Sequence, residues 1–478
     1  MQDTQLPPHP APPTAPDQRT PRLSLNELRA RADDTADPVT TVLLTVVDPH
    51  GRPKGKRYDV RYFLKVVDHP EVDDPEVEMC GYLMDTDGRN IVVPELASGW
   101  GTGYPDMRVR VDLSTLALMP GQPTTAHVFG QVTDHFGQPF GIDPHTILER
   151  QLGLLSDLGR RAMIGIETEF VLLKGTREDM ARSRWSKPEP AFTRNMDYST
   201  DPPPLVQDYL DDLSRALADT GHPLEALKLE GAPGQLEVTF PYQGDIQDAC
   251  HQHIRMQSAA MQLAERAGLT AAFMAAPETG VGNGLHIHLS LWSEDEPHKS
   301  HFAGSPGDEA DSELGQAIGG LLRVLPNLTP LYAPTVNAYR RFQSHSFAPT
   351  RFTWGRDNRT CAVRVVGAGA NRHLEVRLAG ADANPFLAVA AVIAGVVDGI
   401  ASGVEPPKRV TGNSYNSTAP RVAENLGQAL EIFQESRVAA EALGRDVVAH
   451  YSALGRGAIR THARMVSDAD RELFLSRS

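Results

Sequence analysis

Three short apolar runs of this chain carry charged or histidine side chains at alternate positions. The pairs are Glu167 and Glu169 in IGIETEFVLL, His286 and His288 in LHIHLSL, and Glu375 and Arg377 in HLEVR. Alternation is typical of strands, where residues i and i+2 point to the same face. A single such pair more often lies on a solvent-exposed face, because charged residues are mostly exposed. The apolar flanks and the joint occurrence of the pairs favour one shared site instead.

A fourth segment, LEALKLEGAPGQLE, places Glu230 and Glu237 on either side of a Gly-Pro turn. Taken alone, such a segment is more often a turn than a site, because Gly and Pro mark loops. The four segments together supply a carboxylate pair, two further carboxylates, a histidine pair and a carboxylate beside an arginine. This inventory predicts an anionic metal cage ringed by arginines.

Length and charge restrict the class of protein only loosely. A chain of 478 residues is longer than a single core usually supports, so two or more domains are expected. The net charge of −15 disfavours nucleic acid as a partner. No apolar run approaches the roughly 20 residues that span a bilayer, and the N-terminus lacks a signal-peptide layout. We therefore expect a cytoplasmic protein without a membrane partner.

The three cysteines of the chain lie far apart and form no C-x-x-C motif. They predict neither a zinc site nor a disulfide framework, and they fit a reducing compartment. We expect all three to be small buried apolar residues.

Local patterns divide the chain into three parts. Residues 1–35 are expected to form a disordered, proline-rich tail and a short helix after the cap Ser24. Residues 36–141 are predicted to contain strands and turns. Residues 142–478 open with a helix that Asp143 caps and that has proline in its first turn.

Further helices are predicted at PLVQDYLDDLSRALADT, at GDIQDACHQHIRMQSAAMQLAERAG, at NPFLAVAAVIAGVVDGI and at LGQALEIFQES. His251 and His253 lie in the second of these helices. We expect them to be partly exposed histidines rather than metal ligands.

Six further segments complete a pattern that resembles the glutamine synthetase superfamily. They are KGKRYDV, PDMRVRVDLSTL, NAYRRF, DNRTCAVRV, ANPFLAVAAVIAGVVDGI and VSDADRELFL. The resemblance covers most of the chain beyond residue 36. It implies an α+β fold with an N-terminal β-grasp domain, 36–141, and a C-terminal catalytic domain, 142–478, with a curved antiparallel sheet. It also implies a homo-oligomeric ring, a dodecamer, in which active sites form between neighbouring subunits.

The same resemblance assigns two divalent cations and a nucleotide to the site. One cation would be held by Glu169, Glu230 and Glu237, and the second by Glu167, His286 and Glu375. Hard oxygen ligands favour Mg²⁺ or Mn²⁺. ATP would contact Glu225, Tyr242, His288, Ser290 and Arg364.

Substrate positions follow from the resemblance in the same way. Arg359 would meet the phosphoryl group in transfer, and Arg341 and Arg377 would hold the α-carboxylate of glutamate. The backbone of Gly282 would also contact glutamate.

The departures from the family pattern cluster on the amine side. Ammonia-using members carry a glutamate on a flexible loop, and the corresponding loop here, RRFQSHSFAPTRF, has Phe347. A D-G-S-S segment is missing, and LMDTDGRN, with Asp85 and Asp87, is its nearest counterpart. His373 stands where an arginine near the phosphates is common, with Arg372 beside it as a candidate substitute.

These departures select among three functions. A phenylalanine cannot attract ammonium as a carboxylate does, so we predict an organic amine as the acceptor. The predicted enzyme is an ATP-dependent ligase that joins the γ-carboxylate of glutamate to an amine through a γ-glutamyl phosphate. It resembles the γ-glutamyl-amine branch, which includes γ-glutamylputrescine and γ-glutamylethanolamide synthetases. Glutamine synthetase using ammonia and an inactive structural relative are the alternatives.

Overall fold

The computed structural model describes residues 22–68, 74–94, 96, 98–134, 136–186, 188–305 and 307–475. Most of the predicted disordered tail therefore lies outside the described residues. The first sheet has the strand order β2-β1-β5-β4-β3, with β1 and β5 parallel. Its strands are β1 (Thr41–Val47), β2 (Pro53–Asp59), β3 (Glu76–Cys80), β4 (Asp106–Met119) and β5 (Gln122–Thr133).

A second, eight-stranded sheet has the order β11-β12-β13-β10-β6-β8-β7, and β9 pairs with the end of β6. All of its pairs are antiparallel except β11 with β12. The strands are β6 (Arg160–Lys174), β7 (Ala226–Leu229), β8 (Gln235–Thr239), β9 (Leu269–Ala272), β10 (Leu285–Ser293), β11 (Trp354–Arg356), β12 (Val363–Val366) and β13 (His373–Val376).

Helices surround both sheets. Helix α1 (Leu25–Asp33) precedes β1, and helix α2 (Val60–Val67) follows β2. The remainder are α3 (Pro144–Asp157), α4 (Arg177–Arg182), α5 (Pro204–Ala218), α6 (Ile246–Arg266), α7 (Glu313–Val324), α8 (Thr329–Tyr332), α9 (Pro385–Ser402), α10 (Leu426–Glu435), α11 (Arg437–Leu443), α12 (Arg445–Ala463) and α13 (Asp468–Leu475). The predicted mixture of helix and strand is confirmed. The β-grasp assignment and the division at residue 141 stay predictions.

The helix starts follow the local sequence signals. Ser24 caps α1 and forms a capping box with Glu27. Asp143 caps α3, and Pro144 occupies its first turn, where a missing N–H costs nothing. Both predicted helix starts are confirmed.

The expectation that no apolar run approaches membrane-spanning length is wrong for α9. This helix is long and apolar enough to cross a membrane by length and composition, although 72% of it is buried inside the protein. It packs against α7 at a contact made of glycines. A Cβ added to Gly320 would collide with the carbonyl oxygen of Gly395, so only glycine permits this approach. Burial of this kind identifies α9 as a core helix.

A fully buried arginine connects the two sheets. Arg255 of α6 donates from Nε to His127 Nδ1 at 3.3 Å and from Nη1 to His222 Nε2 at 3.2 Å. Its Nη2 also donates to the carbonyl oxygen of Thr115 on β4. Burial lowers the pKa of Arg255 to about 9. Because both imidazoles act as acceptors, this contact requires them to be neutral.

The expected partial exposure of two histidines of α6 is wrong. His251 and His253 are 1% and 0% exposed, because they lie on the face of α6 that packs inward. His253 Nδ1 lies 3.1 Å from Thr168 Oγ1 on β6, and His251 Nε2 lies 2.7 Å from His145 Nε2. The cysteine expectation also needs correction, since Cys80 is only half-buried while the other two are buried.

These buried histidines predict a loss of stability in mild acid. Burial and the nearby Arg255 hold the pKa of His127 well below 6.5, and burial lowers the pKa of His253 to about 3. An unfolded histidine binds a proton below about pH 6.5, whereas the folded protein does not, so stability falls as the pH falls through 6.5. We expect the free energy of unfolding in urea to decrease from pH 7 to pH 5.

His127→Asn tests this account, because the asparagine oxygen can still accept from Arg255. The slope of unfolding free energy against pH should become shallower by up to about 1.4 kcal/mol per pH unit. Asn in place of the exposed His298 is the control and should leave the slope unchanged. Equal slopes for wild type and His127→Asn would contradict the account.

Candidate active site

The register of the second sheet brings the polar strand residues together on one face. Glu167 on β6 stands opposite His286 on β10. Two further pairs lie on neighbouring strands: Glu169 opposite Glu237, and His288 opposite Glu375. Directly opposed residues share a face and approach closely. The shared face that period-2 alternation predicts is thus formed by strands far apart in sequence.

The three-glutamate cluster consists of Glu169, Glu230 and Glu237, with one carboxylate oxygen of each within 4.8 Å of the others. The backbone N–H of Gly284 donates to Glu169 Oε2 at 2.5 Å. Burial, followed by the charge of Glu167, raises the pKa of Glu237. The cluster has the same members as the first predicted ligand set, and a divalent cation would relieve its repulsion.

The residues of the second predicted ligand set, Glu167, His286 and Glu375, also lie close together. His288 joins them as a further neighbour of Glu167. His286 Nδ1 lies 2.8 Å from Glu167 Oε1 and 3.8 Å from Glu375 Oε1. His288 reaches the same group, with Nε2 at 3.2 Å from Glu167 Oε2. Burial opposes ionisation of Glu167, but hydrogen bonds from both histidines outweigh it and lower its pKa. Glu167 is therefore the anionic centre of this half of the site.

Two arginines flank Glu375. Arg364 Nη1 donates to Glu375 Oε2 at 2.9 Å, and Arg377 Nη1 donates to Oε1. Burial opposes ionisation, yet Arg377 and then the histidines lower the pKa of Glu375 to about 2. The Nε of Arg377 is buried and has no hydrogen-bond partner among the described residues.

Glycines create the space that Arg341 occupies. A Cβ at Gly282 would lie 2.9 Å from Arg341 Cγ, and one at Gly284 would lie 2.8 Å from Arg341 Nη2. Arg341 is buried and donates to the carbonyl oxygens of Leu378 and Arg377. Burial lowers the pKa of Arg341 to about 10. The arginine is therefore fixed in direction before any substrate binds.

These residues line one cavity of about 850 Å³. It includes every predicted site residue except Glu225, Tyr242, His288 and Ser290, which were assigned to the nucleotide. Of those four, His288 contacts the lining residue Glu167, and Tyr242 lies against His288.

The ring of Tyr242 packs on Gly165, where a Cβ would lie 3.1 Å from the ring. The ring centroids of His288 and His373 lie 6.0 and 5.4 Å from that of Tyr242. Burial lowers the pKa of His373 to about 4. Ser290 Oγ accepts from Trp292 Nε1 at 2.9 Å. Glu225 is exposed.

The predicted acceptor loop, 343–348, borders the cavity and contains two residues in left-handed conformation. His345 has φ 66° and Phe347 has φ 59°, a region that non-glycine residues rarely adopt. Ser346 Oγ donates to the carbonyl oxygen of Gln343 at 2.7 Å, and Tyr415 donates to that of Ala348 at 3.1 Å. These contacts hold Phe347 with 65% of its surface exposed.

Arg372, the candidate substitute for a phosphate-binding arginine, has structural partners instead. Arg372 is 0% exposed and donates to the carbonyl oxygens of Phe302 and Ser305. It therefore faces away from the nucleotide residues and does not substitute for a phosphate-binding arginine. Residues 302–305 enclose its guanidinium, which also forms an ion pair with Asp308.

Asp85 and Asp87 are likewise buried within their own subunit, at 4% and 3% exposure. Asp85 accepts from the N–H of Ser98 at 2.7 Å, and Asp87 accepts from the N–H of Ile91 at 3.0 Å and from Thr461 Oγ1 at 3.1 Å. The carboxylates stabilise a turn and its contact with α12. They are poor counterparts of an acidic residue that would face a neighbouring site.

Sequence reasoning missed Lys228, Gln235 and the segment 195–198, all of which border the cavity. Gln235 Nε2 donates to the carbonyl oxygen of Gly282 at 2.8 Å. Lys228 precedes Glu230 by two residues, so the alternation rule that found the carboxylate pairs could have placed it on the same face.

Comparison with known proteins identifies the family. Residues 141–474 match the model described as glutamine synthetase, catalytic domain. The chain belongs to the glutamine synthetase family, as the sequence motifs predicted.

Individual relatives narrow the similarity to one branch. The chain is 36% identical over 451 residues to γ-glutamylethanolamide synthetase GlnA4 of Streptomyces coelicolor, covering 94% of this chain and 95% of the relative. It is 30% identical over 422 residues to glutamate–isopropylamine ligase of Pseudomonas sp., covering 87% and 90%. With γ-glutamylputrescine synthetase PuuA of Escherichia coli the identity is 28% over 403 residues, covering 82% and 84%. The predicted similarity to the γ-glutamyl-amine branch is confirmed.

A solved structure described as apo GmaS without ligand has the same fold, with a TM-score of 0.78 and 24% identity. The alignment covers 95% of this chain and 99% of that one.

Charge balance around Glu375 provides a test of the site. Glu375→Gln removes the carboxylate between Arg364 and Arg377, leaving Arg364 with Asp357 and Arg377 without an ion-pair partner, so unfolding in urea should show a loss of about 3–5 kcal/mol. The control Glu313→Gln breaks the more exposed pair with Arg160, 2.7 Å long, and should cost roughly 1 kcal/mol or less. Equal losses in the two variants would show that Glu375 does not balance the two arginines.

Proposed function

We propose that this protein is an ATP-dependent ligase that joins the γ-carboxylate of glutamate to an organic amine through a γ-glutamyl phosphate. The observation that carries the proposal is a single cavity with three parts. It has carboxylates suited to divalent cations, arginines suited to anions, and an exposed phenylalanine on the acceptor loop. The relatives named above form γ-glutamyl amides of ethanolamine, isopropylamine and putrescine by name.

The donor set fits Mg²⁺ or Mn²⁺, which prefer carboxylate oxygen with few nitrogen ligands. The three-glutamate cluster would hold one cation, and Glu167, His286 and Glu375 the other. His288 and Glu237 are near enough to support the second position. When bound, such cations neutralise and orient the phosphate oxygens of ATP.

The arginines would bind the two anionic substrates. Arg341 and the unpartnered Nε of Arg377 would hold the α-carboxylate of glutamate, with the Gly282 backbone beside them. Arg359, which is exposed at the cavity, would meet the phosphoryl group in transfer. Arg364, fixed by Glu375, would contact the phosphates. Arginine side chains that buried partners already hold in place need little reorganisation during the reaction.

The nucleotide base would bind beside the cavity. Tyr242 and His288 offer ring surfaces there, while Glu225 and Ser290 offer hydrogen-bond acceptors. Tyr242 packs against Gly165 and so has one face already covered.

Phe347 favours an amine that carries carbon substituents over ammonium. An exposed aromatic ring at the cavity offers apolar contact to an alkyl group and no charge to a small cation. The structure of loop 343–348 contains no carboxylate side chain, so the attraction that ammonia-using members obtain from a loop glutamate is missing here. This disfavours glutamine synthesis.

The organisation of the whole protein is proposed on the same family likeness. We expect a β-grasp domain at 36–141, a catalytic domain at 142–478, assembly into a homo-oligomeric ring such as a dodecamer, and a cytoplasmic location.

A phosphate-release assay tests the proposed reaction. Purified protein with glutamate, ATP and Mg²⁺ is offered ammonia, ethanolamine, isopropylamine and putrescine separately. Release that requires an organic amine supports the ligase, with the amide product checked by mass spectrometry. Turnover with ammonia alone selects glutamine synthetase, and no turnover with any amine selects the inactive structural relative.

A substitution at Phe347 tests the acceptor assignment. Phe347→Glu should raise the ratio of kcat/KM for ammonia over the preferred organic amine by at least about tenfold, because the carboxylate attracts ammonium and repels an apolar substituent. Phe347→Gln has the same shape without charge and should shift the ratio much less. An equal ratio in Phe347→Glu and wild type would show that Phe347 does not face the acceptor.

A further inference from the structure

Lys228 places an ammonium group inside the three-glutamate cluster. It lies on β7 directly opposite Glu237 on β8. Its Nζ forms an ion pair with Glu230 Oε1 and lies 3.5 Å from Glu237 Oε1. The side chain is 24% exposed, so the ammonium is shielded from solvent but retains an open side toward the cavity.

We propose that Lys228 is a tethered counter-cation that competes with the divalent cation for Glu230 and Glu237. On cation binding, its ammonium moves to Asp197 and the ring of Tyr198. This inference rests on the proposed assignment of a divalent cation to the three-glutamate cluster. Lys228 is a positioning residue, because it acts on the carboxylates and not on the substrate.

Competition follows from the shared oxygens. A small divalent cation needs carboxylate oxygens at close to 2 Å, and Glu230 Oε1 already accepts the ammonium of Lys228. Two cations at the same oxygen repel each other strongly in a poorly solvated site. The lysine must therefore leave before the divalent cation is fully coordinated.

Two other groups that attract an ammonium already lie beside Lys228 and would receive it in the proposed movement. Lys228 Nζ lies 3.8 Å from Asp197 Oδ1 and 4.4 Å from the centroid of the Tyr198 ring. A carboxylate and an aromatic face both attract an ammonium group. The Tyr198 N–H donates to the carbonyl oxygen of Leu229 at 3.2 Å, which fixes this segment beside β7. Rotation of the lysine side chain is enough to transfer the charge.

Lys228 therefore adjusts the affinity of the three-glutamate cluster for a divalent cation. Without a divalent cation, Lys228 limits the repulsion among the three carboxylates and keeps them in place. With one, the lysine lowers the net affinity, because its ion pairs must be broken. Cation binding is thereby linked to the segment 195–198 at the cavity.

Mn²⁺ titration followed by electron paramagnetic resonance measures this competition directly. The wild-type protein is compared with Lys228→Met and with Lys174→Met, whose exposed lysine pairs with Glu189 at 3.6 Å on the same sheet. Lys228→Met should bind Mn²⁺ at least about tenfold more tightly, while Lys174→Met should match wild type. The metal-free Lys228→Met protein should also have a lower Tm than wild type. Its Tm should rise more than that of wild type when Mn²⁺ is added. Equal or weaker Mn²⁺ binding by Lys228→Met overturns the proposal.

Asp197→Asn tests whether Asp197 receives the displaced ammonium. Asp197 is exposed, so the substitution should leave the fold intact. Its Mn²⁺ affinity should fall, because the displaced ammonium loses its partner, and the effect should vanish when combined with Lys228→Met. An unchanged affinity in Asp197→Asn overturns the proposed movement. Glu230→Gln tests the cation assignment separately from the role of Lys228. If this variant binds Mn²⁺ as wild type does, the three-glutamate cluster is not the cation site, and the proposed function loses that assignment.

Discussion

Repulsion among carboxylates gathered on one face of a sheet is the constraint on which the rest of the site depends. Glu167 and Glu237 interact so closely that the charge of one raises the pKa of the other. Such a group can persist only if positive charge lies within a few ångströms. Arginines supply it at Glu375 and a lysine at Glu230, and Glu167 is stabilised by its hydrogen-bond contacts with two histidines. Divalent cations would complete this balance.

The remainder of the fold keeps these groups in register. Cross-strand pairing fixes their order across β8, β6, β10 and β13, and the apolar side chains between them, such as Ile166 and Ile287, are buried on the opposite face. A slip of one residue would exchange the two faces and bury every charge in the core. Arg255 then joins α6 to the first sheet through His127 and to the segment before β7 through His222. The functional face and the contact between α6 and the first sheet thus have separate electrostatic requirements.

The sequence was most informative where geometry follows from local periodicity. Alternation in β6, β10 and β13 was enough to place Glu167 and His286 on one face, and motif order indicated the family. It failed where a side chain's surroundings depend on distant segments. His253 looks like a surface helix residue until α6 packs on β6, and Arg372 looks available until residues 302–308 enclose it. Lys228 lies two residues before Glu230 and so shares its face, but a lysine at such a position is more often exposed to solvent.

The two halves of the cavity differ in how freely they can change. Removing Glu375 leaves the buried Arg377 without its ion-pair partner and Arg364 with Asp357 alone, so substitution on this face is expected to cost several kcal/mol. Loop 343–348 is anchored by main-chain contacts from Ser346 and Tyr415, while the Phe347 side chain is mostly exposed. Exchange of that side chain disturbs no buried partner and should leave the fold intact. Under the proposed function, acceptor choice can therefore change at the loop while the carboxylate-rich face stays constant.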